Sequence, residues 1–408
     1  MMGSHGRCIA FLSLIFLVTL QIARVSFAVK GVSALFDSFF HDSKVSKKEN
    51  RVQEATKDDI EQKHSCKYED AQGSFTPSNG NFSWNWTSTS KFCPVVDYLG
   101  PVLRSHDTKL KIREPITFLF IGDSLDRNIV AFACNEGREK GFRVLPTYNQ
   151  ILQENGSMAI NFSFTDKGAQ ELDHIALPIN TAERERNAAR LCTTGNITLA
   201  FFKIFGMNHY CLLAGWAARE DSRYQLFPST DDRVRNLLPF EILSRIPKGS
   251  KVVVNAGSAL WDLSEGCVDE ENVDKSYEKK YTAGIRILHQ VLTEIIPNAT
   301  IYWRTSPPIS QPYSLSREKL RRGRTRRNQA FLNDLLLRTV TAHQLGKVVD
   351  WWAQLAGVPE DILTDSMREH QTHYTKEPSL AFFNMWLNAV FEYDKTLITA
   401  SDANVHDT

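Results

Sequence analysis

The chain has 408 residues, a formal net charge of +1 and 42% hydrophobic residues. That balance gives no global electrostatic case for a nucleic-acid partner, and the length is enough to bury a large α/β core. No C-x-x-C pair occurs, so the usual zinc-site pattern is missing and no metal or tightly bound cofactor is expected.

The chain opens with a targeting signal. Arg7 precedes an apolar run from Cys8 to Ala23, interrupted only by Ser13, Thr19 and Gln21, and Arg24 ends it. Ser26-Phe27-Ala28 then puts small residues at the two positions that signal peptidases read. Residues 1–28 are therefore expected to be a signal peptide or a signal anchor, and membrane association would come only through an anchor retained there. Residues 29–62, rich in Lys, Asp, Glu and Ser, read as a polar stem or tail before a single luminal domain at 63–398. Six Asn-x-Ser/Thr sequons, at Asn81, Asn85, Asn155, Asn161, Asn196 and Asn298, fit passage through the secretory pathway. The expected location is the Golgi lumen, or outside the cell. With Cys8 set aside, Cys66, Cys93, Cys134, Cys192, Cys211 and Cys267 make an even set in an oxidising compartment. Up to three disulfides are expected, and the spacing leaves their pairing open.

Residues 66–95 form a Cys-, Trp- and Asn-rich lead-in with a turn-prone Pro77-Ser78-Asn79-Gly80. From about residue 115, short β-branched or aromatic runs alternate with longer helical segments. The runs are Ile116–Ile121, Ile197–Phe205, Val252–Asn255, Thr300–Arg304 and Val348–Asp350, which read as buried parallel strands. Helices are expected at 126–137, 276–296, 325–344 and 378–392, the last with Pro378 at its start. Alternation of this kind predicts a doubly wound, mainly parallel α/β sheet. Sites in such sheets form beyond the strand carboxyl ends, so the polar residues just after each run are the candidates.

After the first run comes Gly122-Asp123-Ser124-Leu125-Asp126-Arg127-Asn128. Here a strand ends, a glycine permits a tight turn, and Ser124 opens a helix. A serine so placed is solvent-accessible and near the positive helix end, with a backbone N–H free to join an oxyanion hole. Asp and Ser are also preferred helix caps, so a purely structural role is open at this point. The second run is followed by Gly206, whose N–H could approach a tetrahedral oxyanion. The third ends in Asn255-Ala256-Gly257, where Asn255 could donate a side-chain N–H. Turn-forming roles are the alternative for both. The fourth continues as Arg304-Thr305-Ser306-Pro307-Pro308, a stiffened loop. Asp365, His370 and His373 precede the last helix. A late histidine paired with a serine after the first strand fits triad logic, and His373 is preferred over His370.

Together these residues resemble the SGNH (GDSL-like) hydrolases. Gly122-Asp123-Ser124-Leu125 looks like their first block. The longer string through Asn128, Asn255-x-Gly257 with its following Trp261, Arg304-Thr305-Ser306-Pro307, and the eleven-residue spacing from His373 to Asn384 are similar to the PC-esterase and trichome-birefringence-like branch. The resemblance covers roughly residues 66–392. It implies an SGNH, flavodoxin-like fold and a serine esterase or O-acyltransferase that moves acetyl groups on glycan hydroxyls. In that reading Ser124 is the nucleophile, His373 the base, and Ser124, Gly206 and Asn255 the oxyanion donors. Arg127, Asn128 and Arg304 become candidate glycan or donor contacts. The branch carries Asp three residues before the His; His370 stands there in this chain, and Asp365, eight residues before His373, is the nearest aspartate. Asp365 is therefore the expected orienter, with a Ser–His dyad, or an inactive fold serving as a glycan-binding or adhesion module, as alternatives. A secreted esterase acting on lipid or small esters is another. The basic run Arg317, Lys319, Arg321, Arg322, Arg324, Arg326 and Arg327 is read as a solvated loop and helix start. Attraction of an anionic ligand and protease processing are the other readings of it.

Overall fold

Fully buried, β-rich runs build the centre of the molecule. The computed structural model describes residues 72–78, 81–87, 95–104, 110–145, 190–207, 229–263, 275–309, 325–355, 358, 363 and 373–400. The expected targeting segment and stem, Asp365, His370 and the basic run from Arg317 to Arg324 lie outside the described residues.

In the lead-in, β1 (Gln72–Ser78) and β2 (Asn81–Thr87) form an antiparallel pair. Next come α1 (Leu99–Leu103), β3 (Leu110–Ile112), β4 (Ile116–Gly122) and α2 (Ser124–Arg138). They are followed by β5 (Arg143–Leu145), β6 (Arg190–Thr194), β7 (Ile197–Lys203) and α3 (Thr230–Glu241). The chain continues through β8 (Lys251–Gly257), α4 (Lys275–Ile295), β9 (Thr300–Arg304) and α5 (Arg326–His343). It ends with β10 (Lys347–Val349), α6 (Trp351–Leu355), α7 (Lys376–Tyr393) and β11 (Ile398–Ala400).

Seven strands form one sheet in the order β10-β9-β8-β4-β7-β6-β5. Strands β10, β9, β8, β4 and β7 are parallel, and β6 pairs antiparallel with both of its neighbours. Numbered along the chain, the five parallel strands stand in the spatial order 2-1-3-4-5, the flavodoxin-like arrangement. The chain order reverses between β4 and β8, and this switch point is where such sheets form their binding crevice.

Both faces of the sheet are covered. All seven residues of β4 are buried, and the period-two pleat divides them between faces. Phe118 and Phe120 pack in one core with Leu125 and Ile129 of α2 and Phe383 and Trp386 of α7. Leu119 and Ile121 pack in the other with Val234 of α3, Leu288 of α4 and Leu335 of α5. Helix α7 is held by aromatic contacts in particular. Phe120 meets Phe383 edge-on at 5.2 Å, and Phe118 meets Trp386 at 5.5 Å. Truncating Phe383 to alanine should cost about 3–5 kcal/mol. This packing matters for function because α7 begins three residues after His373.

Candidate active site

Ser124 is the first residue of α2, directly beyond β4 at the switch point. Its turn is set by a capping box. The Asp123 carboxylate accepts from the Leu125 N–H at 2.9 Å, and the Asp126 carboxylate accepts from the Asp123 N–H at 3.1 Å. The half-buried Ser124 hydroxyl therefore rides on a fixed backbone. His373 approaches from the other end of the chain, its Nε2 lying 2.6 Å from Ser124 Oγ. The next residue anchors the histidine's loop: buried Tyr374 donates its hydroxyl to the Pro308 carbonyl, in the di-proline loop beyond β9. One residue later Thr375 caps α7, and its carbonyl accepts the Ser379 hydroxyl at 2.7 Å.

Beneath the serine lies a buried charged cluster. Arg304, at the end of β9, donates from Nε to Asp126 Oδ1 at 2.8 Å and from Nη2 to Asp126 Oδ2. The same Nη2 reaches Asp123 Oδ1 at 3.4 Å and the Gly257 carbonyl at 3.3 Å. Asn255 adds its Nδ2, 3.1 Å from Asp126 Oδ1. The Asp126 carboxylate thus takes bonds from Arg304, Asn255 and the Asp123 N–H, all pure donors. Burial pushes its carboxyl up, to about 6, against the pull of the guanidinium. Burial also works against the Arg304 charge, but the two carboxylates outweigh it and hold the guanidinium more firmly protonated than usual. The cluster explains why β4 and β8 both end in glycine. A Cβ on Gly122 would meet Asp126 Oδ2 at 1.8 Å, and one on Gly257 would meet Arg304 Cγ at 2.5 Å.

Two of the residues expected at the site turn inward onto this cluster. Arg304 is 1% exposed and engaged below the serine, so it is not a glycan or donor contact; its charge is consumed by two carboxylates. Asn255, expected as an oxyanion donor, is fully buried two residues inside the end of β8, and its amide nitrogen bonds Asp126 Oδ1. Arg127 and Asn128 contact each other, Nη2 to Oδ1 at 3.3 Å, with Asn128 buried. Asn384, matched by spacing to His373, bonds the backbone that precedes α1. Its Oδ1 accepts the Tyr98 and Leu99 N–H groups at 2.9 Å each, and its Nδ2 donates to the Val96 carbonyl, pinning the start of α1 to α7.

Gly206 lies three residues beyond Lys203, which pairs in register with Gly122, and so stands at the same end of the sheet as Ser124. As the first helical residue, Ser124 also presents a backbone N–H that its own helix cannot use. Among the described residues no group of three His, Cys, Asp or Glu side chains could hold a metal. A disulfide joins Cys134 on α2 to Cys192 on β6, fixing the far end of the serine helix to the sheet; the other five cysteines lie outside the described residues.

Several residues important to this site carry no sequence signal of their own. Asp126 and Tyr374 could be singled out only through their neighbours: Asp126 as a capping-box partner three residues after Asp123, Tyr374 by adjacency to a candidate base.

No family model and no curated protein matches the sequence. Among solved structures, the chain is similar to a GDSL-like lipase from Parabacteroides merdae at 13% identity and a TM-score of 0.34, over 70% of this chain and 99% of that one. The aryl esterase of M. smegmatis is 10% identical with a TM-score of 0.34, over 69% and 99% of the two chains. A family two carbohydrate esterase from Clostridium thermocellum, solved in complex with cellohexaose, is 13% identical with a TM-score of 0.34, over 70% and 66%. These likenesses are distant; the strand order carries the fold, and the geometry around Ser124 carries the chemistry.

Proposed function

We propose that the protein is a serine esterase or O-acyltransferase of the SGNH kind that handles acetyl groups on glycan hydroxyls through an acyl-enzyme at Ser124. The observation that carries this reading is the 2.6 Å approach of His373 Nε2 to Ser124 Oγ at the switch point of the sheet. That distance is within the range a general base needs. In the first half-reaction Ser124 Oγ attacks the ester carbonyl carbon and its proton passes to His373 Nε2. The tetrahedral oxyanion is met by the Ser124 and Gly206 N–H groups. The ester C–O bond then breaks, and His373 returns the proton to the departing alcohol. In the second half-reaction water or a glycan hydroxyl attacks the acyl carbon and gives its proton to His373 Nε2; the acyl C–Oγ bond then breaks and Ser124 Oγ takes that proton back, giving hydrolysis or transfer. Asp365 is the proposed partner of the other imidazole nitrogen; it lies outside the described residues.

Glycans as substrates follow from the sequence resemblance to the PC-esterase branch. A secretory-pathway location, as a secreted or anchored protein, is supported by the Cys134–Cys192 disulfide and by the exposed sequon residues Asn196 and Asn298. The test is to supply an acetyl ester with and without an added oligosaccharide acceptor. Acetate release alone identifies an esterase, and acetylated oligosaccharide identifies a transferase. Neither product, from folded protein across several acetyl donors, would favour the inactive glycan-binding alternative.

A further inference from the structure

The segment after β7 is held more firmly than a connecting loop requires. Gly206 has φ +86°, a left-handed conformation, and a Cβ there would fall 2.8 Å from Asp262 Oδ1. Its carbonyl accepts the Thr230 hydroxyl at 2.8 Å in a buried bond from the first residue of α3. The N–H of the same peptide unit, that of Met207, points to the Asp262 carboxylate, 2.9 Å from Oδ1 and 3.0 Å from Oδ2. Tyr277 of α4 supports Asp262, its hydroxyl lying 2.9 Å from the Asp262 carbonyl and 3.1 Å from Oδ1. Asp262 is fully buried. Both polar groups of the Gly206–Met207 peptide are therefore gripped, one from α3 and one from the turn after β8.

Gripping that peptide restricts the preceding one. With that peptide plane held and φ at +86°, the orientations open to the Gly206 N–H are restricted. Upstream, the Ile204 N–H donates to the Gly122 carbonyl at 2.8 Å, so the segment departs from a point tied to the strand end that carries Ser124. A grip on both sides of a donor is what electrostatic preorganisation needs, because a donor that must reorient during the reaction loses much of its value.

We propose that Thr230 and Asp262 are positioning residues that aim the Gly206 N–H at the oxyanion formed on Ser124, an inference that rests on the acyl-enzyme reading above. Neither residue touches substrate in this account; each acts through one peptide unit. Thr230→Val keeps the shape and removes the hydroxyl, and Thr230→Ser keeps the hydroxyl. In a folded Thr230→Val protein, kcat on an acetyl ester should fall about 10- to 100-fold with KM nearly unchanged, somewhat less than the loss of a whole oxyanion donor. The rate of covalent labelling by a fluorophosphonate should fall in parallel, because the phosphoryl oxygen also takes up the oxyanion position. Thr230→Ser should recover most of both rates. Tyr277→Phe, which loosens Asp262 without opening the core, should lower kcat by a smaller factor in the same direction and serves where Thr230→Val does not fold. A purely structural role for Thr230 would lower the melting temperature without separating kcat from KM. Folded Thr230→Val or Tyr277→Phe protein with wild-type kcat, alongside an inactive Ser124→Ala control, overturns the positioning role and leaves the enzyme reading standing. Wild-type protein that neither turns over nor labels overturns both.

Discussion

His373 and Ser124 are 249 residues apart in the chain, yet Nε2 and Oγ lie 2.6 Å apart. The sheet order produces this meeting. Ser124 leaves the first parallel strand at the switch point. Helix α7 crosses the same face as α2, in the core that Phe118 and Phe120 share with Phe383 and Trp386. Ser124 and His373 are thus placed by the two helices on one side of the sheet. The segment that enters α1 is tied to that side as well, through Asn384 and Asn388.

The Arg304–Asp126 pair should behave as a buried, mutually dependent unit. Arg304→Met strands two carboxylates in the core and should cost roughly 3–5 kcal/mol in unfolding free energy. The double variant Arg304→Met/Asp126→Leu should recover much of that loss. Denaturant unfolding measures both. A single-variant loss below about 1 kcal/mol, the scale of exposed pairs, would contradict the buried placement.

Asn255 separates two descriptions of the oxyanion hole. As a ligand of Asp126, its loss in Asn255→Ala should cost about 1–3 kcal/mol of stability by leaving a carboxylate oxygen short of a donor. The folded fraction should keep kcat within about tenfold of wild type. A 10²- to 10³-fold fall in kcat at unchanged stability, the size expected for a lost oxyanion donor, would return Asn255 to that role.

The bond between Cys134 and Cys192 closes a separation of 58 residues. Chain-entropy arithmetic for a loop of that size gives about 4 kcal/mol, so Cys134→Ser/Cys192→Ser should unfold at markedly lower denaturant. The native protein should show no alkylatable thiol at either position before reduction. Peptide mapping that finds both thiols free in the folded, unreduced protein would refute the pairing.

The fold was legible in the chain because its strands are uninterrupted apolar runs. Thr300–Arg304 matches β9 end to end, and the helices at 276–296 and 325–344 are observed within a residue at each end. Short or partly exposed strands were not legible: β5 has two exposed residues of three, and β6 is five residues long, keeps no strict alternation and ends in two threonines. Helix α3 carries Pro239 inside it and only a narrow apolar stripe, which hides its period. At the site, the serine and histidine were visible because strand ends and late histidines are informative positions. The cluster below them was not, because its geometry joins residues 129 and 178 positions apart. Sequence placed Asn255 and Arg304 at strand ends without saying which way their side chains turn, and both turn inward onto Asp126.

The most direct test of the account is covalent labelling by a fluorophosphonate followed by peptide mapping, in wild type, Ser124→Ala, His373→Ala and His370→Ala. A hydroxyl activated by His373 should label at Ser124 alone. Ser124→Ala should abolish labelling, His373→Ala should slow it by about 10²-fold or more, and His370→Ala should leave it close to wild type. Labelling that persists in Ser124→Ala, or a folded wild-type protein that does not label at all, would contradict the assignment of Ser124 as a nucleophile driven by His373.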